Sequence, residues 1–277
     1  MTDSIGHVAS FFYDAYLANQ DRGEGATLQE KQEKLLGIGA KKEADSVCKE
    51  KCYFLSKFFA GVSDLSTAGL LLVRSIKPFD YSQRAITIAS SSSLFFNLAA
   101  AGSAGLQIYQ ARKERSALKI NSEGYDDTRE GDAIGKQEKI IDEIEKVAWA
   151  KLKVSLITAG INGVTIATLY GQPTIIFTQL PDSVTNYGIT ALTGVISLGK
   201  WLYVRNKNKE FENNIRAIYD DLDIEHNSTA SGTYDVVTRD VHVQQYLLNG
   251  DTSHLDQARE KSFKIENRGV AQQAVGS

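Results

Sequence analysis

The sequence predicts an all-α protein: two hydrophobic helical hairpins with up to four transmembrane helices, amphipathic flanking helices and a partly irregular C-terminal tail. Three observations carry that prediction. Ala85–Ala111 and Val154–Pro181 hold no Asp, Glu, Lys, Arg or His, in a chain of 277 residues of which 23% are Asp, Glu, Lys or Arg. About 20 uncharged, mostly apolar residues in a helix span a hydrocarbon core. Ser183–Gly199, also uncharged, and Phe54–Val73, interrupted only by Lys57 and Asp64, complete two pairs. Aromatic residues mark the segment ends at Tyr53, Tyr109, Trp149, Tyr170, Trp201 and Tyr203, where an interfacial belt places them.

The organisation follows in order: an N-terminal polar and amphipathic region (1–53), the first hydrophobic hairpin (54–111), a linker with an amphipathic helix (112–153), the second hairpin (154–204) and a soluble C-terminal tail (205–277). Residues 1–26 end in the Gly-rich stretch 21–25, which predicts a flexible lead after a short aromatic segment, Phe11–Leu17. Thr27 and Glu30 have capping-box spacing. Leu28, Leu35 and Ile38 form the stripe of a helix that runs, interrupted near Gly37 and Gly39, into the first hydrophobic segment. Pro78 marks the turn of the first hairpin within 74–84.

The second segment exits through Arg112, Lys113 and Arg115 into a Gly- and Asp-rich linker, 121–135. A second amphipathic helix starts near Lys136, with Ile140, Ile141, Ile144, Val147 and Ala148 on one side, and continues into the third segment. Pro173 and Pro181 separate the third segment from the fourth. Beyond Lys200 a polar helix carries Phe211, Ile215 and Ile218; the β-branched residues of Tyr234–Val243 predict a short strand, and roughly the last 20 residues a loose end. An offset of 94 aligns Gly69 with Gly163, Ser103 with Ser197, Gly105 with Gly199, Tyr109 with Tyr203 and Lys113 with Lys207, the pattern of a duplicated hairpin.

Small residues recur at helix-packing spacing: Ala99 with Ser103, Ala101 with Gly105, and Ala159 with Gly163. Asn97, Asn162 and Asn186 interrupt the apolar runs. Lys57 and Asp64, one heptad apart, suit a polar seam against Asn97 or Asn162, with an ion or proton path as the sharper alternative. Basic residues gather at 49–51, 112–115, 146–153 and 200–209. The positive-inside rule then makes this an integral membrane protein with both termini cytosolic. Arg74, Lys77 and Arg84 in the first turn break that rule, which a first hairpin entering without fully crossing would explain.

A net charge of −3 argues against nucleic acid as the partner. His7, His226, His242 and His254 are scattered without metal-site spacing, and neither GxSxG nor a phosphate-loop motif occurs. No catalytic, cofactor-binding or metal-binding residues, no cofactor and no enzyme are therefore expected. Cys48 and Cys52 share a helix face beside lysines and read either as packed thiols or as sites of reversible lipidation. Tyr219 (YDDL) and Tyr234 (YDVV) have the form of paired tyrosine docking motifs. The Asn227 sequon stays cytosolic and unmodified in this topology.

Across Phe54–Arg205, the paired hydrophobic segments with short turns, basic flanks and polar ends resemble bacterial effectors of host vacuole membranes, such as chlamydial inclusion-membrane proteins. That family typically carries one bilobed hairpin and this chain two. The resemblance implies a non-enzymatic scaffold. Its partners would be the lipid bilayer, proteins recruited through the N-terminal helix and C-terminal tail, and further copies of the chain. Two other classes fit the same residues: a pore-former or translocator inserting helical hairpins, and a soluble helical structural protein.

Overall fold

Only three prolines occur in the chain, so few positions forbid helix. The computed structural model is helical over long runs. It describes residues 2–76, 82–122, 129–169, 182–224 and 232–275, with side chains chiefly over 15–70, 83–118, 131–167, 199–221 and 235–265, Lys42 and Trp201 excepted. The helices are α1 (Thr2–Gly37), α2 (Lys41–Ile76), α3 (Ser82–Ser122), α4 (Arg129–Leu169), α5 (Asp182–Ile224), α6 (Gly232–Asn249) and α7 (Thr252–Val275). No strand occurs among the described residues. The predicted turns at Pro78 and 173–181, residues 123–128 of the linker and Asn227 lie outside the described residues; the rest of the linker is helical, 121–122 ending α3 and 129–135 already belonging to α4, so the second amphipathic helix starts ahead of Lys136.

Three expectations are corrected. The Gly-rich stretch 21–25 does not end a flexible lead; α1 runs straight through it. Thr27 is no cap, because its Oγ1 donates within the helix to the Gly23 carbonyl at 3.0 Å. Glycine costs about 1 kcal/mol in a helix interior, and tertiary packing offsets it: a Cβ at Gly25 would lie 3.6 Å from Leu55, and one at Gly61 only 3.1 Å from the Ala18 Cβ. Here α1 lies close against α2.

The second and third corrections concern the C-terminal tail. Tyr234–Val243 is part of α6, and most of the last 20 residues belong to α7. β-Propensity is mainly a preference for a half-buried pleated surface. Val237 and Val241 instead share one helix face, where they are buried with Ala133, Ile140, Ile215 and Ile218. Gly250, at φ 76°, closes α6, its N–H reaching the Tyr246 carbonyl at 2.8 Å. Asp251 then caps α7 by accepting from the Ser253 N–H at 2.9 Å, a donor that holds its carboxyl below the ordinary range.

The expected interruption at Gly37 and Gly39 is present. Gly39 has φ 78°; its N–H bonds the Leu36 carbonyl at 3.1 Å, and the Ala40 N–H bonds the Leu35 carbonyl at 3.0 Å. This is a Schellman ending, completed by burial of Leu35 and Ala40. Gly39→Ala should cost about 1 kcal/mol, because only glycine takes a left-handed conformation without strain. Urea denaturation checks this; an unchanged midpoint refutes it.

The chain divides into two compact units: unit 1 is Met1–Thr27, Glu50–Gly105 and Ala150–Arg205, and unit 2 is Leu28–Lys49, Leu106–Trp149 and Asn206–Ser277. Each of α1 to α5 contributes a stretch to both, while α6 and α7 belong to unit 2. Unit 2 holds an aliphatic core, with Phe211, Tyr219 and Leu248 packed against it. Its buried charges are paired: Arg239 with Glu43 at 3.1 Å, Lys261 with Asp235 at 3.2 Å, and Gln137 donating to Asp240 at 2.7 Å.

Within unit 2, Glu145 gathers Arg112 at 2.9 Å and Arg115 at 3.0 Å, with the Trp149 indole N–H at 3.2 Å. Burial pushes this carboxyl up, but the donors from Arg112, Trp149 and Arg115 outweigh burial and hold it below its ordinary 4.5. A depressed carboxyl adds stability above its unfolded value and loses it as pH falls through the folded one. The stability difference between wild type and Glu145→Gln should therefore close as pH falls from about 6 to about 3. A gap that widens with acid contradicts this.

Candidate functional site: an apolar exterior around a polar seam

Unit 1 exposes many of its large apolar residues. On α3 the inward face reads Ile86, Ser90, Ser93, Asn97, Ala100 and Ala104, all buried, at alternating spacings of four and three. The outward face carries Ile88, 67% exposed, Phe95, 66% exposed, and Leu98. On α4 the buried side chains are Lys151, Ser155, Thr158 and Asn162, while Leu156, Ile157 and Val164 are exposed. On α2, Leu55, Phe59 and Val62 are exposed. In water a helix turns its large apolar residues inward; these turn outward, and small and polar residues fill the interior.

One stretch, Gln83–Leu118 of α3, is long and apolar enough among the described residues to cross a membrane, and a third of its most apolar window is buried. α2 carries Lys57 and Asp64 inside its apolar run, and the run in α4 continues past Leu169 into 170–181, outside the described residues. Side chains of 168–198 are also outside them, including Asn186 and nearly all of the fourth predicted segment.

The interior of unit 1 is a connected polar seam. α2 presents Glu50, Tyr53, Lys57, Ala60, Asp64 and Thr67 at alternating spacings of three and four, the seam positions of a packed helix. At one end Lys151, 3% exposed, meets Glu50 at 2.6 Å and lies over the Tyr53 and Phe54 rings at 5.4 and 5.5 Å. Next, the Lys57 ammonium donates to Asn97 Oδ1 at 2.8 Å, and Asp21 from α1 faces the same ammonium.

Asn97 Nδ2 donates to Ser93 Oγ at 3.2 Å, and Asn162 Nδ2 donates to the same oxygen at 2.7 Å. Ser93 and Asn162 both face Asp64. A hydroxyl has two acceptor sites, and the two amides fill both of those of Ser93. Lys200 of α5 faces Asp64 and donates to Thr158 at 2.8 Å; the Thr67 and Ser90 hydroxyls approach to 3.5 Å at the far end. The seam thus joins five helices. The sequence singled out Lys57, Asp64, Asn97 and Asn162 but missed Asp21, assigned to a lead, and Lys200, assigned to a flank.

The other residues singled out from the sequence fall as follows. Ala101 and Ala159 are buried and Ala99 exposed; Ser103, Gly105 and Gly163 are half-buried. A Cβ at Gly105 or Gly163 would meet no atom within 4 Å. The small residues packed against Tyr53 are Ala100 and Ala104, and the tight approach is Gly61 on Ala18. Cys48 is a half-buried thiol and Cys52 an exposed one. Tyr219 is half-buried on α5, edge-on to His242 and His254 at 5.5 and 5.4 Å, whose Nδ1 atoms are 3.3 Å apart. The Tyr234 side chain lies outside the described residues.

Of the predicted belt, Tyr109, Trp149 and Tyr203 are exposed, and Arg112 stacks 5.6 Å from the Trp149 ring centroid. Tyr53 departs from it: only 4% exposed, it packs inside unit 1. Tyr170 and the Trp201 side chain lie outside the described residues. Among the described residues, no group of three His, Cys, Asp or Glu is placed to hold a metal ion. Scans of family models, of curated proteins and of solved structures match nothing to this chain.

Proposed function

We propose that the α2 to α5 stretches of unit 1 insert into a lipid bilayer as two helical hairpins, up to four spans, with the first stretch of α1 packed against them, and that unit 2 is the aqueous part of a non-enzymatic scaffold. The observation that carries this reading is the inverted distribution in unit 1. Exposed Ile88, Phe95, Leu98, Leu156, Ile157 and Val164 surround buried Ser90, Ser93, Asn97, Ser155 and Asn162. Lipid solvates the first set and neighbouring helices satisfy the second. Recruitment of protein partners or of further copies falls to the charged helices of unit 2, whose C-terminal end stays on the cytosolic side.

Alkaline carbonate extraction of native membranes, combined with flotation of purified protein on vesicles, tests this reading. The protein should resist extraction and float. Release by carbonate, together with a soluble monomer that needs no detergent, would refute insertion. Leakage of a trapped dye from vesicles bearing the protein would replace the passive scaffold with a pore-former.

A further inference from the structure

We propose that the seam inside unit 1 is a proton path, a function that rests on the membrane reading above. The seam reaches from Glu50 to Thr67 along α2, about 25 Å at 1.5 Å per residue, close to the roughly 30 Å of a hydrocarbon core. A polar seam needed only for helix packing could consist of hydroxyls and amides. This one brings ionisable groups from three helices to its middle: Asp21 of α1, Lys57 and Asp64 of α2, and Lys200 of α5. Ionisable groups at membrane depth are costly and mark ion or proton pathways.

The chemistry of each position suits transfer. Asp21 and Asp64 flank Lys57, whose ammonium can release a proton to one carboxylate and regain one from the other. Asn97 holds that ammonium by accepting from it. The Ser93 hydroxyl, fixed by the amides of Asn97 and Asn162, stands beside Asp64 and orients its carboxyl. The Thr67 and Ser90 hydroxyls continue the line. Toward the other end, the buried Ser155 Oγ lies beside the Tyr53 hydroxyl yet makes no hydrogen bond of ordinary geometry, a polar atom in the line still able to take a proton-carrying partner.

The charged groups facing these positions are Glu24 beside Asp21, Lys200 beside Asp64, and Lys151 paired with Glu50. Every transfer moves H⁺ between oxygen or nitrogen atoms, so one proton enters for each that leaves, and no oxidant or reductant takes part.

The test uses the full chain reconstituted in phosphatidylcholine vesicles containing a pH-sensitive dye, with a potassium gradient and valinomycin to set the voltage. Voltage-driven proton flux should exceed that of empty vesicles at least tenfold. Asp64→Asn and Asp21→Asn should each reduce it tenfold or more while the protein still floats with the vesicles; Phe95→Ala, on the exterior, should leave it unchanged. If Asp64→Asn fails to insert, Asp21→Asn decides. Inserted wild type without flux, or both variants at wild-type flux, would overturn the path and leave the insertion reading standing. Parallel release of a trapped small dye would overturn it in favour of an open pore. Wild type that fails to float would overturn insertion and the path together.

Discussion

Replacing Ile88 and Phe95 together by aspartate should abolish membrane insertion of the chain. Both side chains are about two-thirds exposed on the outward face of α3, the helix that is long and apolar enough to cross a membrane. A charge near the centre of an inserted helix costs about 2.5–3.5 kcal/mol on the insertion scale. Two such charges amount to at least about 5 kcal/mol, more than a thousandfold in the partition equilibrium. In water the same pair would behave in the opposite way. Exchanging exposed apolar side chains for aspartate on a soluble protein usually changes stability by less than about 0.5 kcal/mol and raises solubility. Vesicle flotation therefore reads the sign: a double variant that floats as well as wild type is incompatible with a lipid-facing α3.

Lys57→Met should destabilise unit 1 by about 3 kcal/mol. The ammonium stands between Asp21 and Asp64 and fills the acceptor of Asn97. Methionine preserves most of the side-chain volume but leaves both carboxylates without the cation that faces them and an amide oxygen without its donor. Removing one member of such an interior network costs more than removing all of its charges. The triple variant Lys57→Met, Asp21→Asn, Asp64→Asn should accordingly recover most of the loss. Thermal stability of the purified chain in mild detergent measures both. Additive losses across the three substitutions would show that these groups act independently and that no network exists.

Helical class was legible because it depends on local periodicity and composition. Gly37 and Gly39 announced the break between α1 and α2, and Lys57, Asp64, Asn97 and Asn162 stood out as polar residues within apolar runs. Asp21 and Lys200 could not be added to that group from spacing, since each is an ordinary polar residue in its own stretch. Their membership depends on which helices lie side by side. The small-residue pairs Ala101 with Gly105 and Ala159 with Gly163 were visible for the same local reason, whereas the close approach of Gly61 to Ala18 joins two helices and leaves no mark along either one.

The error at residues 21–25 and in the tail has one physical origin. Glycine and β-branched residues disfavour an isolated helix by fractions of a kcal/mol to about 1 kcal/mol each, and tertiary burial outweighs that. Gly25 against Leu55, and Val237 and Val241 against Ile140 and Ile215, supply the burial.

By itself the amino-acid order determined that the chain is helical, where its uncharged runs lie, and that lysines and glutamates dominate the stretches between them. The tertiary structure decided which faces of those runs look inward. It put Ser93, Asn97 and Lys151 inside unit 1 and left Ile88, Ile157 and Phe95 outside, because the direction a helical residue faces is set by the neighbours its helix acquires and not by its own sequence.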